Sequence, residues 1–230
     1  MKLAFAWFVH LYTALGLVCA AAMAVLIVAG DPASLRTAFM LMVLATGIDA
    51  TDGWLARRAR VKDVLPHFDG ALLDNIIDFH TYTSLPLLLL WRSGIPGGAW
   101  SLVLLAPLLA SAYGYSKTDA KTVDGFFLGF PSYWNIIALY LYLLRPSVPV
   151  SVAIMLVFSL LTFVRTPYLY PSRGGPFAKT INIGAVLYAI ALAVALFGPA
   201  VLSRPVTLAS LLYPLVYLAL SAHVARTQQR

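Results

Sequence analysis

The chain has 230 residues, 61% of them hydrophobic and only 11% charged, with a mean hydropathy of +0.85. That balance excludes an ordinary soluble domain and fits a polytopic membrane protein. A net charge of +7 would suit nucleic acid in a soluble protein, but here the basic residues fall in short loops between apolar runs. Lipid headgroups and membrane orientation account for them better, and no nucleic-acid partner is expected.

In chain order, eight apolar segments stand out: 3–29, 36–56, 70–91, 99–115, 131–144, 148–163, 179–197 and 206–222. A helix crosses a bilayer in about 20 residues. The pattern therefore predicts an all-α polytopic bundle of about eight transmembrane helices, forming a single integral-membrane domain over residues 1–230. The fifth segment is short, and its Pro131 start predicts a helix that begins in the interface. The first segment is longer than a signal-peptide core of about 7–15 residues and reads as a retained helix. Short Gly/Pro-rich connections at 93–98 and 171–176 argue for one compact bundle. Cys19 is the only cysteine, so an intramolecular disulfide and a multi-cysteine zinc site are both excluded; it reads as packing.

Lysine and arginine set the orientation. Twelve of the sixteen basic residues, grouped around Lys2, Arg57–Lys62, Lys117–Lys121, Arg165–Lys179 and Arg226–Arg230, fall on one side of the eight segments. The other side holds Arg36, Arg92, Arg145 and Arg204. The asymmetry predicts cytoplasmic termini and a cytoplasmic loop between the second and third helices.

That loop joins the two most unusual helices. Six of the nine acidic residues, all of them Asp, lie between positions 49 and 78. Asp49, Asp52, Gly53, Ala56 and Arg57 follow one-turn steps, and Gly70, Asp74 and Asp78 are spaced i,i+4, so each helix presents a carboxylate pair on one face. Asp52 and Asp74 are each expected about 6 Å inside their helix ends, at 1.5 Å per residue. A mid-membrane Asp costs about 2.5–3.5 kcal/mol, and four converging carboxylates cannot all ionise without a counter-charge. A divalent cation meets both costs. An all-oxygen donor set selects Mg²⁺ or Mn²⁺ over zinc, and such ions bind phosphate oxygens at their open positions. Gly53, Ala56 and Gly70 leave room for a ligand against the backbone, and the Arg57 fork suits a diphosphate. The bland alternative, four aspartates that merely pair with arginines to lock helices, does not explain the regular spacing or the small residues. Asp63 and Asp69 read as solvated loop residues.

The pattern Asp-x2-Asp-Gly-x2-Ala-Arg … Gly-x3-Asp-x3-Asp resembles the signature of the CDP-alcohol phosphotransferases. Twelve residues separate Arg57 from Gly70, against eight in most of that family. This longer gap resembles the bacterial phosphatidylcholine synthase branch, as do the stretches AYGYSKTDAKTVDGFFLGFPSYWN (112–135) and VRTPYLYPSR (164–173). The resemblance implies an enzyme of the bacterial inner membrane that transfers a phosphatidyl group from CDP-diacylglycerol to choline, giving phosphatidylcholine and CMP. It implies that Asp49, Asp52 and Asp74 ligate Mg²⁺ or Mn²⁺, two ions in all. Asp78 would share a metal and act as general base, with CDP against Gly53, Ala56, Arg57 and Gly70. It also suggests a homodimer.

Choline offers a cation with no hydrogen-bond donor on its ammonium, so its site calls for aromatic faces. Tyr113, Tyr115, Phe126, Phe127, Phe130, Tyr133 and Trp134 are the candidates, though such a cluster also suits interfacial packing. Lys117, Asp119, Lys121 and Asp124 lie in one cytoplasmic loop, solvated or substrate-facing. Trp91, Trp100, Tyr168 and Tyr170 read as interfacial belt residues, and the four histidines as structural. Other readings stay open: another acceptor alcohol (serine, glycerol or inositol), an intramembrane prenyltransferase, or a transporter. Both acidic motifs lie on one hairpin, which argues against the prenyltransferase. No repeated halves are visible, which argues against the transporter.

Overall fold

The computed structural model describes residues 2–122, 125–170 and 177–228. Asp124, Arg173, Arg230 and the 171–176 connection lie outside the described residues.

The first two helices, α1 (Lys2–Ala29) and α2 (Pro32–Ala59), form a long hairpin packed along its length. Asp31 caps α2, its carboxylate accepting from the amides of Ala33 and Ser34 at 3.0 Å each. Pro32 follows at the first helical position, where a missing N–H costs nothing. The helix runs past the predicted boundary at 56 because Arg57, Arg58 and Ala59 are good helix formers although they end the hydropathy. It stops at Arg60, which is left-handed at φ 48°. Asp52 is therefore two turns from the helix end, not one.

After the short α3 (Val61–Val64), helix α4 (Gly70–Asp78) leads through a π-helical turn (Phe79–Ser84) into α5 (Leu85–Arg92) without a gap. Asp69 is not simply solvated. Its carboxylate accepts from the amides of Ala71 and Leu72 at 3.0 Å each and so caps α4, a contact typically worth about 1 kcal/mol. A 3₁₀ turn (Gly98–Leu104) feeds α6 (Leu105–Ser116), and α7 (Trp134–Leu144) and α8 (Val148–Leu161) follow. Helix α9 (Ala178–Phe197) is next, and α10 (Ala200–Ser210) and α11 (Leu212–Gln228) complete the order. The predicted eighth segment thus begins six residues early and takes in Arg204 and Pro205.

The fold is that of a mostly helical, polytopic membrane protein. Among the described residues, five stretches are long and apolar enough to cross a bilayer: Lys2–Ala29, Pro32–Ala59, Gly98–Ser116, Ala178–Phe197 and Ala200–Thr227. The other predicted segments are helical too, but α7 and α8 are shorter. One element departs from the all-α expectation. β1 (Phe126–Leu128) pairs antiparallel with β2 (Pro167–Leu169), Phe126 opposite Leu169 and Leu128 opposite Pro167. Three-residue strands are too short for an alternating pattern to reveal.

In lipid, close packing rather than hydrophobic burial holds helices together, which favours small residues at contacts. A Cβ on Gly16 of α1 would lie 2.7 Å from the side chain of Ile77, and one on Gly70 would lie 2.6 Å from the His10 ring. These glycines bring α1 and α4 into contact beside the aspartates. The main core joins Met23 and Ile27 to Phe39, Met42, Leu89, Leu90, Trp134 and Met155; Cys19 is buried with them, as expected of a packing residue. A second cluster, Phe126, Tyr168, Leu169, Ile181, Tyr217 and Val224, fastens the β pair to α9 and α11. Tyr217 donates to the Leu169 carbonyl at 2.8 Å, and the Leu169 amide donates to Ser221 Oγ at 3.2 Å. Exposed Trp91 and Trp100 suit the interfacial belt. Tyr168 does not; it is buried in the β cap.

Candidate active site

Helices α2 and α4 bring their carboxylates together against α1. Asp49, Asp52, Asp74 and Asp78 all line one cavity, with Thr13 and Gly16 of α1 and Thr81 of the π turn. One oxygen from each of Asp49, Asp74 and Asp78 lies within 4.8 Å of the other two. Asp52 lines the same cavity but stands outside that triad. Asp52 and Asp78 are buried, at 6% and 8% exposure. The π turn has a direct role here. It carries Tyr82, whose hydroxyl donates to Asp49 Oδ2 at 2.7 Å and so fixes that carboxylate. π-turns recur at functional sites because they re-aim side chains.

The donor set fits a hard divalent cation. Several acidic oxygens converge in a place poor in water, and neither His nor Cys lines the cavity. A positive side chain already approaches: Lys121 Nζ lies 3.7 Å from Asp74 Oδ2. Burial pulls the Lys121 pKa down, but Tyr170 and the carboxylates of Asp74, Asp78 and Asp49 more than offset it, so the ammonium is held above the ordinary lysine value.

A second cavity opens beside Asp49 and Asp78. Its remaining walls are Tyr82, Tyr115, Lys121, Phe127, Pro131, Tyr133 and Tyr170. Asp78 therefore faces both spaces.

The sequence-derived site residues separate into groups. The four aspartates converge. Tyr115 and Tyr133 line the second cavity. Phe130 and Trp134 do not reach it: both are core, and the Trp134 indole, wholly buried, donates to Ser111 Oγ at 2.8 Å. Tyr113 is exposed and stacks on Phe163 with centroids 4.8 Å apart. Gly70 is filled by the His10 ring rather than facing open space. Ala56 packs beside Ala6, Val9 and Val61. A Cβ on Gly53 would meet the Arg57 guanidinium at 3.3 Å, so those two residues stay adjacent on α2. Of the charged loop, Lys121 turns inward. Asp119 instead pairs with Arg165 at 2.7 Å, and Lys117 donates to the Leu128 carbonyl at 3.1 Å.

Phe127, one of the aromatic candidates, also lines the second cavity, whereas Tyr82 was not anticipated and Tyr170 faces the cavity rather than an interfacial belt. Tyr82 continues the Gly70–Asp74–Asp78 row by another four residues, a signal present in the sequence. Phe127 and Tyr170 are both positioned by the β cap.

This is a polytopic helical membrane protein with a buried, all-carboxylate site able to hold a metal. No family model matches the chain. It is 44% identical over 138 residues to a phosphatidylcholine synthase of Legionella bozemanae, covering 59% of this chain and 64% of that one. It is 41% identical over 170 residues to one of Legionella pneumophila subsp. pneumophila, covering 73% and 66%. It is also 34% identical over 174 residues to one of Borreliella burgdorferi, covering 75% and 73%. The chain thus spans just under two thirds of the length of the two Legionella relatives. It belongs to the phosphatidylcholine synthase family.

Proposed function

We propose that the chain is a CDP-diacylglycerol–choline phosphatidyltransferase of a bacterial inner membrane, with its site near the cytoplasmic face. The observation that carries this reading is the convergence of Asp49, Asp74 and Asp78 in one cavity, with Asp49 and Asp78 also bordering a second cavity walled by aromatic rings. Asp49, Asp52, Asp74 and Asp78 hold one or two Mg²⁺ or Mn²⁺ ions. When bound, such an ion supplies charge neutralisation for the diphosphate and the leaving CMP.

The chain's own groups do the rest. CDP rests along α2 at Gly53, Ala56 and Arg57, where the α4 start at Gly70 limits its depth, and Arg57 meets the diphosphate. Choline enters the aromatic cavity. Asp78, bordering both spaces, takes the proton from the choline hydroxyl. The choline oxygen forms a bond to the phosphorus that carries diacylglycerol, and the bond from that phosphorus to the CMP oxygen breaks. Tyr82 holds Asp49 in place by its hydroxyl, which keeps one Asp49 oxygen occupied.

The decisive experiment offers the purified protein CDP-diacylglycerol with choline, serine, glycerol or inositol and identifies the lipid formed and the CMP released. Phosphatidylcholine is expected. Phosphatidylserine as the main product would remove the choline assignment, and no CMP with any alcohol would remove the transferase itself.

Acceptor selection is read in KM. Tyr115 and Tyr133 supply ring faces to the second cavity, and a cation–π contact contributes about 0.5–2 kcal/mol. Tyr115→Ala or Tyr133→Ala is expected to raise choline KM about tenfold, the equivalent of ~1.4 kcal/mol, with KM for CDP-diacylglycerol little changed. Tyr→Phe at either position keeps the face and is expected to behave as wild type. Trp134→Ala serves as the contrast: it empties a core position at a cost of about 3–5 kcal/mol, so it lowers thermal stability without a selective choline effect. Unchanged choline KM in both alanine variants would place the ammonium elsewhere.

Sidedness follows from which loops meet. Asp74 meets Lys121, Asp119 meets Arg165, and β2 meets α11, all at one end. Arg145 meets the Ser93 carbonyl at the other. With the basic excess at the first end, reporters placed after Arg230 or beside Lys62 are expected in the cytoplasm; a periplasmic signal from either would overturn the eight-span topology.

A further inference from the structure

Lys121 reaches the carboxylate site from outside the two helices that build it. Its backbone lies in the turn leading to β1, bridged to Phe127. The Leu128 amide donates to the Ala120 carbonyl at 2.8 Å, and the Thr122 amide donates to the Phe126 carbonyl at 2.9 Å. β1 is in turn paired to β2, and β2 is fastened to α11 by Tyr217 and Ser221. The base of the side chain is thus anchored. From that base its four-carbon stem reaches the cavity, and the ammonium lies between Asp74 at 3.7 Å and the Tyr170 ring, 5.9 Å from its centroid.

Two cations cannot both stay at full strength beside Asp74. An ion among the Asp49, Asp74 and Asp78 oxygens would sit within a few ångströms of the ammonium, and like charges that close repel strongly where water is scarce. An incoming diphosphate brings negative charge to the same edge of the site, and a lysine is a mobile point charge able to follow it.

We propose that Lys121 is a displaceable counter-ion: it neutralises the aspartates while the site is empty, competes with the divalent ion for them, and turns to the phosphates once nucleotide binds. The proposal rests on the metal–diphosphate reading above and adds to it the residue that couples ion entry to nucleotide entry.

The sign of the effect separates this role from a structural one. Purified full-length protein in detergent is titrated with Mn²⁺ alone, free Mn²⁺ being followed by electron paramagnetic resonance, and then with CDP at saturating Mn²⁺. Lys121→Met is expected to bind Mn²⁺ about tenfold more tightly and CDP about tenfold more weakly, each equivalent to ~1.4 kcal/mol. Lys121→Arg keeps the charge and is expected to stay near wild type in both. A lysine that only supported the β cap would weaken Mn²⁺ binding or leave it alone, and either result overturns the proposal, as does unchanged CDP affinity. Asp74→Asn in parallel keeps the two readings apart. Wild type that binds Mn²⁺ and loses it in Asp74→Asn, with Lys121→Met unaltered, overturns the role of Lys121 only. Wild type that binds no Mn²⁺ overturns the metal reading and this proposal together.

Discussion

Asp78→Asn is expected to cut turnover by about 10²–10⁴-fold, the usual cost of losing a general base. KM for CDP-diacylglycerol should change little. The substitution keeps the volume and one carbonyl oxygen, so the packing of a side chain only 8% exposed survives. It removes the ability to take a proton. Asp78 closes α4 immediately before the π turn and borders both the carboxylate cavity and the aromatic one, so it can face the diphosphate from the first and the acceptor hydroxyl from the second. A fall in kcat with KM unchanged marks an interaction made in the transition state. Asp74→Asn should differ, raising both the metal requirement and the nucleotide-lipid KM, because Asp74 lines the carboxylate cavity but not the aromatic one. Monodisperse Asp78→Asn protein with near-wild-type turnover would reassign the base.

The carboxylate half of the site was legible because helical spacing is rigid. Steps of three and four residues fix a face, so Asp49, Asp52, Asp74 and Asp78 had to converge once α2 and α4 became neighbours, and a short loop made them neighbours. Extending the same row would have reached Tyr82, the hydrogen-bond partner of Asp49. What spacing does not fix is depth. The predicted end of α2 at 56 followed hydropathy, whereas the helix follows backbone propensity to Ala59.

The aromatic half was less legible, for a different reason. Phe130, Tyr133 and Trp134 look alike in a sequence window, but Ser132 is left-handed at φ 57° and α7 begins only at Trp134. A helical reading, with Phe130 and Trp134 on one face and Tyr133 beside them, therefore does not carry the three rings into one cavity. Tyr133 is turned to the cavity while Phe130 and Trp134 enter the core, their rings 5.5 Å apart. Phe127 and Tyr170 arrive through a pairing between strands forty residues apart, which local periodicity does not register. Lys121 was singled out as part of a charged loop, and only the β cap decides that it, rather than Lys117, turns inward.

Removal of divalent ions should abolish transfer altogether, with Mg²⁺ or Mn²⁺ restoring it. The reason is electrostatic. Oxygens of Asp49, Asp74 and Asp78 lie within 4.8 Å of one another. At an effective dielectric of about 20, two full charges at that distance repel by about 3–4 kcal/mol. Three such pairs exceed what one lysine at 3.7 Å offsets, whereas a doubly charged ion coordinated by all three carboxylates reverses the sign. Binding to the folded state also stabilises it, by about 2.7 kcal/mol at a hundredfold excess over Kd. Mn²⁺ should therefore raise the thermal midpoint of wild-type protein in detergent. Asp49→Asn and Asp74→Asn should blunt that rise and shift the ion concentration needed for half-maximal turnover upward. The single change at Asp52, which lines the cavity but stands outside the triad, should shift it less. Full turnover in excess chelator would show that the carboxylates serve some purpose other than holding an ion, and the diphosphate chemistry built on them would fall with it.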